Sequence, residues 1–183
     1  MAINELLKIV ARPPTPVEAE NGKTWTRVQK VIGTRLPRDF RDFGTHYGTG
    51  KLCGGYLGVL NPFSVHFVSS VTYLLQATRD NRATHDYPYQ VFPDEPGLLP
   101  WGTDENGHTL HWLTEGAPDE WPVVVESHEG ELERFNLSMT TFLAKAFTNV
   151  IRPKHIWGTP FSPEELTFTP IKPKAPQRRG GTP

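Results

Sequence analysis

The stretch Gly97 to Val150, GLLPWGTDENGHTLHWLTEGAPDEWPVVVESHEGELERFNLSMTTFLAKAFTNV, decides the fold. Three short apolar runs separated by turn chemistry give way to a helix, the pattern of a small sheet with a closing helix. Asn106-Gly107 is the strongest turn signal in it, because the central residues of a type I′ turn need positive φ, which Asn and Gly tolerate best. Beyond that turn, the run from His108 to Leu113 puts Leu110 and Trp112 on one face of a strand. Trp121 to Glu126 is rich in β-branched residues, and His128-Glu129-Gly130 makes a second turn before Glu131 to Phe135. Leu132 falls on the face opposite Glu131, Glu133 and Phe135, which predicts a last strand partly covered on both faces. Ser138 then offers its hydroxyl to the orphan amides of a helix. Met139, Phe142, Leu143, Ala146, Phe147 and Val150 form one stripe on that helix, and only the sheet can cover it.

Working outward, Ile3, Leu6, Leu7 and Val10 recur at helical spacing, and Arg12-Pro13-Pro14-Thr15-Pro16 stops that helix. Thr24 can cap a second helix with Trp25, Val28 and Ile32 on one side and Gly33 at its end. Pro37 opens a third, with Phe40, Phe43 and Tyr47 inward and Arg38, Asp39, Arg41 and Asp42 outward as a solvated face. Leu52 to Leu60, with Gly54, Gly55 and Gly58 among apolar residues, reads as a strand with a bulge or a close backbone approach. A phosphate loop is disfavoured there, since the glycines precede no helix and no G-x-x-x-x-G-K-[ST] occurs. Phe67, Val71, Leu74, Leu75 and Thr78 mark a further amphipathic helix between Val65 and Arg82, and Pro88 confines Tyr87 to Phe92 to an edge or a strand's beginning.

After Val150 the character changes. Ile156 and Trp157 are large enough to pack on the domain, but prolines recur from Pro160 to Pro183 among Lys172, Lys174, Arg178 and Arg179. The expectation is one domain over residues 1–157 and a flexible, basic, proline-rich tail over 158–183, disordered at least from Pro173.

Composition narrows the function. With 183 residues, 37% of them hydrophobic, the chain can bury one core. A formal net charge of -1 supplies no global field for nucleic acid, so charged recognition has to be local. The single cysteine, Cys53, excludes an internal disulfide framework. No apolar run is long enough to span a bilayer, and the N-terminus has no basic region followed by an apolar core, so a cytoplasmic soluble protein is expected.

Catalytic patterns are weak. His108-x-x-His111 has metal-ligand spacing for a helix, but on a strand residues three apart face opposite sides, so the imidazoles diverge. Asp119, Glu126 and His128 resemble a metal-dependent nuclease pattern only with histidine in the place of its lysine. Cys53 lies in an apolar run that raises a thiol pKa, and no G-x-S-x-G elbow is present. No cofactor or metal is expected.

The order of elements resembles SUKH superfamily proteins. Leu36-Pro37-Arg38-Asp39-Phe40 followed by Tyr47-Gly48-Thr49-Gly50 is similar to the family's "LP-x-D-aromatic … Y-G-x-G" opening. Leu98 to Gly107, the Trp112 strand, Trp121 to Val125 and Ser138 to Leu143 follow in the family's order, so the resemblance covers about residues 24 to 150. It implies an α+β fold, an antiparallel β-sheet with helices packed around it. It also implies an immunity protein that binds and neutralises a cognate bacterial toxin domain, often a nuclease, without turnover. Eukaryotic relatives act as regulatory scaffolds in cell-wall signalling, the second reading; a metal-dependent hydrolase is the third.

An inhibitor of that kind needs carboxylates and aromatics on rigid elements, carboxylates to steer encounter and aromatics to supply contact area at little entropy cost. Asp104 and Glu105 flank the first hairpin, Asp119 and Glu120 precede Trp121, and Glu126, Glu129, Glu131 and Glu133 border the second turn. These, with Trp112 or Trp121 as anchor, are the candidate surface for a protein toxin, with no direct contact to nucleic acid or membrane. The competing reading places both tryptophans in the core and leaves the charges to solvate the sheet's edges.

Overall fold

The computed structural model describes residues 3–20, 22, 24–154 and 156–172. Five helices form where the apolar spacing asked for them: α1 (Ile3–Ile9), α2 (Thr24–Ile32), α3 (Arg38–Tyr47), α4 (Phe67–Thr84) and α5 (Met139–Phe147). Eight strands make one sheet: β1 (Gly50–Leu52), β2 (Leu57–Val59), β3 (Gln90–Val91), β4 (Gly97–Asp104), β5 (Thr109–Leu113), β6 (Val123–Glu126), β7 (Leu132–Phe135) and β8 (Phe168–Pro170). Their order is β7-β6-β5-β4-β2-β1-β8, antiparallel throughout, with β3 added parallel to the start of β4. The fold is therefore α+β, with its sheet built on the quoted stretch. No helix among the described residues is long and apolar enough to cross a membrane.

β4 is the hinge of this arrangement. One edge pairs along most of its length with β5, while the other is shared, β3 taking Gly97 and Leu98 and β2 taking Gly102 to Asp104. The register shifts between Pro100 and Gly102, a bulge at Trp101, beside a proline that has no amide to donate. Next to it a Cβ on Gly102 would come within 2.9 Å of the Gly58 carbonyl oxygen, so the strands meet there only because residue 102 has no side chain.

The two faces of the sheet are covered differently. Leu99, Trp101, Leu110, Trp112, Val123 and Val125 point into the main core, where α1, α3 and α5 bring Leu6, Phe40, Phe43, Phe142 and Phe147. Aromatic rings run through it: Phe40 lies edge-on to Trp112 at 4.9 Å, and Trp112 is 6.1 Å from Trp101 and 6.3 Å from Trp121. On the opposite face Leu98, Leu113 and Val124 gather with Tyr87 in a smaller cluster. β7 is partly covered on both faces, Leu132 joining the small cluster and Phe135 the main one.

Four expectations need correction. Leu52 to Leu60 is not one bulged strand. It is a hairpin, with a 3-10 turn over Cys53–Gly55 between β1 and β2, where three successive residues have positive φ and glycine takes two of the places. The segment after 158 is not a free tail as far as Lys172. β8 pairs with β1, and Phe161, Leu166 and Phe168 pack on the core; residues 173–183 lie outside the described ones. Ser138 does not cap α5 with its side chain; its hydroxyl goes to Thr141. Asp39 does not merely solvate α3. Its carboxylate reaches across to α5 and accepts from the Thr140 amide at 2.9 Å and the Thr140 hydroxyl at 3.0 Å.

Candidate protein-binding surfaces

The residues expected to face a partner fall into three groups. Trp112 and Trp121 are 1% and 4% exposed and belong to the aromatic core, so neither is an anchor in this conformation. Asp104 and Glu126 are also buried. The remaining six carboxylates are divided between the two ends of the sheet, because antiparallel pairing sends the turns before β5 and after β6 to one end and the connection from β5 to β6 to the other.

Glu126 is held inside the smaller face. Its Oε2 lies 2.6 Å from His111 Nε2, while Oε1 accepts from Tyr87 at 2.8 Å and from Asn81 at 2.6 Å. Burial alone would raise this carboxyl. The bond and field of His111, with the bonds from Asn81 and Tyr87, outweigh it and hold the group down at about 2. One carboxylate thus ties β6 to β5, to α4 and to the segment before β3.

Asp104 closes the turn between β4 and β5. Its Oδ1 accepts from the amides of Asn106 and His108, both at 3.0 Å, and its Oδ2 from Tyr56 at 3.0 Å and His108 Nδ1 at 2.8 Å. His108 Nε2 in turn lies 3.0 Å from Nδ1 of His128 on the next turn. A chain Asp104–His108–His128 therefore runs from the interior to an exposed imidazole. His111 is engaged elsewhere, with Glu126, so the two histidines of His108-x-x-His111 diverge; no group of three or more candidate metal ligands converges among the described residues. Cys53 is buried, which pushes its thiol up to about 12, a change the field of Glu165 reinforces.

At this turn-bearing end Glu105, Glu129 and Glu131 are exposed. Glu105 pairs with Lys51 at 2.9 Å, and Glu131 accepts from the Ser127 hydroxyl at 3.3 Å. The turn carrying Glu129 and Glu131 is pinned from within by Ser127, whose backbone amide donates to the Glu131 carbonyl and whose Oγ accepts from the amides of both glutamates. Glu133, on β7, accepts from the Lys154 amide at 2.6 Å and is half-buried.

At the opposite end Asp119 and Glu120 sit on a 3-10 turn, Pro118–Glu120, beside a groove of about 580 Å³ between α3 and the start of α5. Asp119 accepts from the Arg38 amide at 2.8 Å and from Arg38 Nε at 2.7 Å. Desolvation raises this carboxyl, but the Arg38 amide and guanidinium outweigh it and hold it below the ordinary value. Arg41 pairs with Glu20, so both guanidiniums that line this groove, Arg38 and Arg41, are already matched; outside it Arg134 pairs with Glu115 at 3.1 Å. The carboxylates of Glu120 and Asp42 make no hydrogen bond or ion pair among the described residues, although the field of Asp42 acts on Arg41.

The model of the SUKH_6 family, described as "SMI1-KNR4 cell-wall", matches residues 23–143. The chain belongs to that family. Within this SUKH domain the match runs from α2 into α5 and leaves α1 and β8 outside, although both pack on the same core. No curated protein matches the chain significantly. Among solved structures, a protein from Pseudomonas syringae pv. tomato is similar at 17% identity, over 77% of this chain and 92% of its own, with a TM-score of 0.43.

Reading along the SUKH sequence missed two arrangements. The Asp104–His108–His128 chain was half visible, since Asn106-Gly107 folds Asp104 back on His108, but the contact with His128 depends on the pairing of β5 with β6. The Arg38–Asp119 bridge spans 81 positions and had no local signal.

Proposed function

We propose that this SUKH domain is an immunity protein that neutralises a cognate toxin domain by stoichiometric binding, without turnover, in the cytoplasm of the cell it protects. What carries the reading, beside the family, is the turn-bearing end of the sheet. It presents Glu105, Glu129 and Glu131 to solvent on turns whose backbone amides are bound internally, so these charges sit on fixed supports and lose little entropy on contact. Such a surface complements a basic substrate-binding face, the kind a nuclease toxin needs for its own polyanionic substrate.

The direct test is co-expression with a toxin candidate, which this reading expects the neighbouring gene to encode. Survival of the cells together with copurification of the two proteins is expected; death of the cells, or survival without a complex, rejects the reading. Reversing Glu129 and Glu131 to lysine should weaken the complex and flatten its salt dependence while leaving the thermal unfolding of the free chain unchanged. Unaltered affinity would reject this end of the sheet as the interface. A regulatory scaffold, the second reading, would instead bind several partners weakly.

A further inference from the structure

We propose that His108 and His128 form a single-proton latch between the two turns at this end of the sheet, so that acidification releases His128 and weakens partner binding there. The inference rests on the reading of Glu105, Glu129 and Glu131 as the partner surface for its functional half; the latch itself rests on hydrogen counting.

Asp104 is saturated, with two bonds to each oxygen, and an ionised carboxylate can only accept. His108 must therefore carry its hydrogen on Nδ1, which in the neutral ring leaves Nε2 as a lone pair. That lone pair faces His128 Nδ1 at 3.0 Å, a separation that accommodates one hydrogen and no more. The pair can take up one further proton without losing the contact, because a single hydrogen still lies between the rings whichever imidazole is the cation. A second further proton places hydrogens on both facing nitrogens, and the contact must open.

The two rings are not equal partners in that opening. The side chain of His108 is 6% exposed and anchored to Asp104, whereas that of His128 is 57% exposed on a turn. His128 is the ring that leaves. The other groups around the pair set the direction of the effect. Tyr56 donates to Asp104 and accepts from Asn106, Glu129 Oε1 lies 3.8 Å from His128 Nε2, and Lys51 neutralises Glu105. From α4, the His85 ring lies against Gly130, with Nδ1 within hydrogen-bonding distance of the Asn81 carbonyl and the Thr84 hydroxyl. Protonation thus adds positive charge among the carboxylates proposed to meet a basic partner, and it unties their turn.

The experiment is a titration of the imidazole nitrogens in the full chain by NMR from pH 8 to pH 4. Ordinary imidazoles titrate near pH 6.5. Here His108 and His128 should respond together, the contact between their rings should vanish at the acid end, and His128→Gln should reduce the His108 response to one simple step. Independent titration of His128 with no response at His108, or rings still in contact at pH 4, overturns the latch. For the functional half, affinity for the copurifying toxin should fall about fivefold or more between pH 7.5 and pH 5.5. The fall should persist in His85→Gln and be lost in His128→Gln. An equal fall in His128→Gln overturns the regulation, whereas absence of binding at pH 7.5 defeats the immunity reading and leaves the latch to the NMR titration.

Discussion

The two faces of the sheet solve the same problem with different chemistry. The face under α1, α3 and α5 is filled by large rings, Trp101, Trp112 and Phe142 among them, that gain stability in proportion to the area they remove from water. The opposite face has a small apolar cluster, and beside it an ionisable pair, His111 and Glu126, each with a side chain no more than 2% exposed, which Asn81 of α4 reaches. The first face tolerates imperfect polar satisfaction: neither Trp101 Nε1 nor Trp112 Nε1 finds an acceptor among the described residues. The second satisfies its carboxylate first: both oxygens of Glu126 are bonded, since an unpaired buried charge costs several times more than an unpaired indole, while His111 Nδ1 finds no partner among the described residues. Packing holds one layer, and the bonds converging on one buried carboxylate hold the other.

The largest effect should come from the packed face. Trp112→Ala removes a ring that touches Phe40, Trp101 and Trp121 at the centre of the core. A loss of about 3–5 kcal/mol is expected by urea denaturation, from lost burial plus the cavity left behind. A loss below about 1 kcal/mol would show that the core collapses into the space, and the contrast between the faces would fail.

On the other face, His111→Leu strands Glu126 without its ionisable partner and should cost about 3 kcal/mol, whereas His111→Leu with Glu126→Leu should recover most of that. Equal losses in the single and double variants would mean that the pair contributes more than an apolar filling would. The same carboxylate predicts an acid limb. Its folded-state value of about 2 is below the ordinary 4.5, so its contribution is complete above 4.5 and is lost as the pH falls from there through 2. Stability measured at pH 7 and pH 3 should fall more for the parent chain than for Glu126→Gln. Asp39 works in the opposite sense. Burial raises its carboxyl, so its share favours the protonated form and declines as the pH rises through the carboxylate range.

The apolar skeleton was legible because it is periodic. The alternation of β5, the α5 stripe from Met139 to Phe147 and a turn at Asn106-Gly107 follow from local geometry and appear where the spacing put them. But Val150 falls beyond the helix and is exposed, and the turn is not type I′, since Gly107 has positive φ and Asn106 does not. The charges were not legible to the same degree, since a carboxylate reads alike whether it faces water or a partner across the fold. Asp104 and Glu126 looked like surface acids and prove to be interior acceptors. β8 was hidden for a related reason. Phe168-Thr169-Pro170 sits in a proline-rich, basic stretch, and only an open edge on β1 gives it a partner. Asp39 was misplaced because helix caps are sought next door. Here Asp39 caps α5 from 101 positions away.

The smallest effects compare two remote caps. Asp39→Ala removes the half-buried acceptor for the α5 amide of Thr140 and for its hydroxyl, and about 1–2 kcal/mol should be lost. Asp119 performs the same service for α3, accepting the Arg38 amide, and adds an ion pair to the same side chain. The Arg38 side chain is 83% exposed, so that pair is screened by water and should contribute less than about 1 kcal/mol. Arg38→Ala keeps the amide and loses only the pair; Asp119→Ala loses both. Asp119→Ala should therefore destabilise the chain more than Arg38→Ala, and added salt should shrink the effect of Arg38→Ala while sparing most of the difference between the two. If the two variants lose equal stability at low salt, the cap contributes nothing, and α3 is positioned by Phe40 and Phe43 in the core alone.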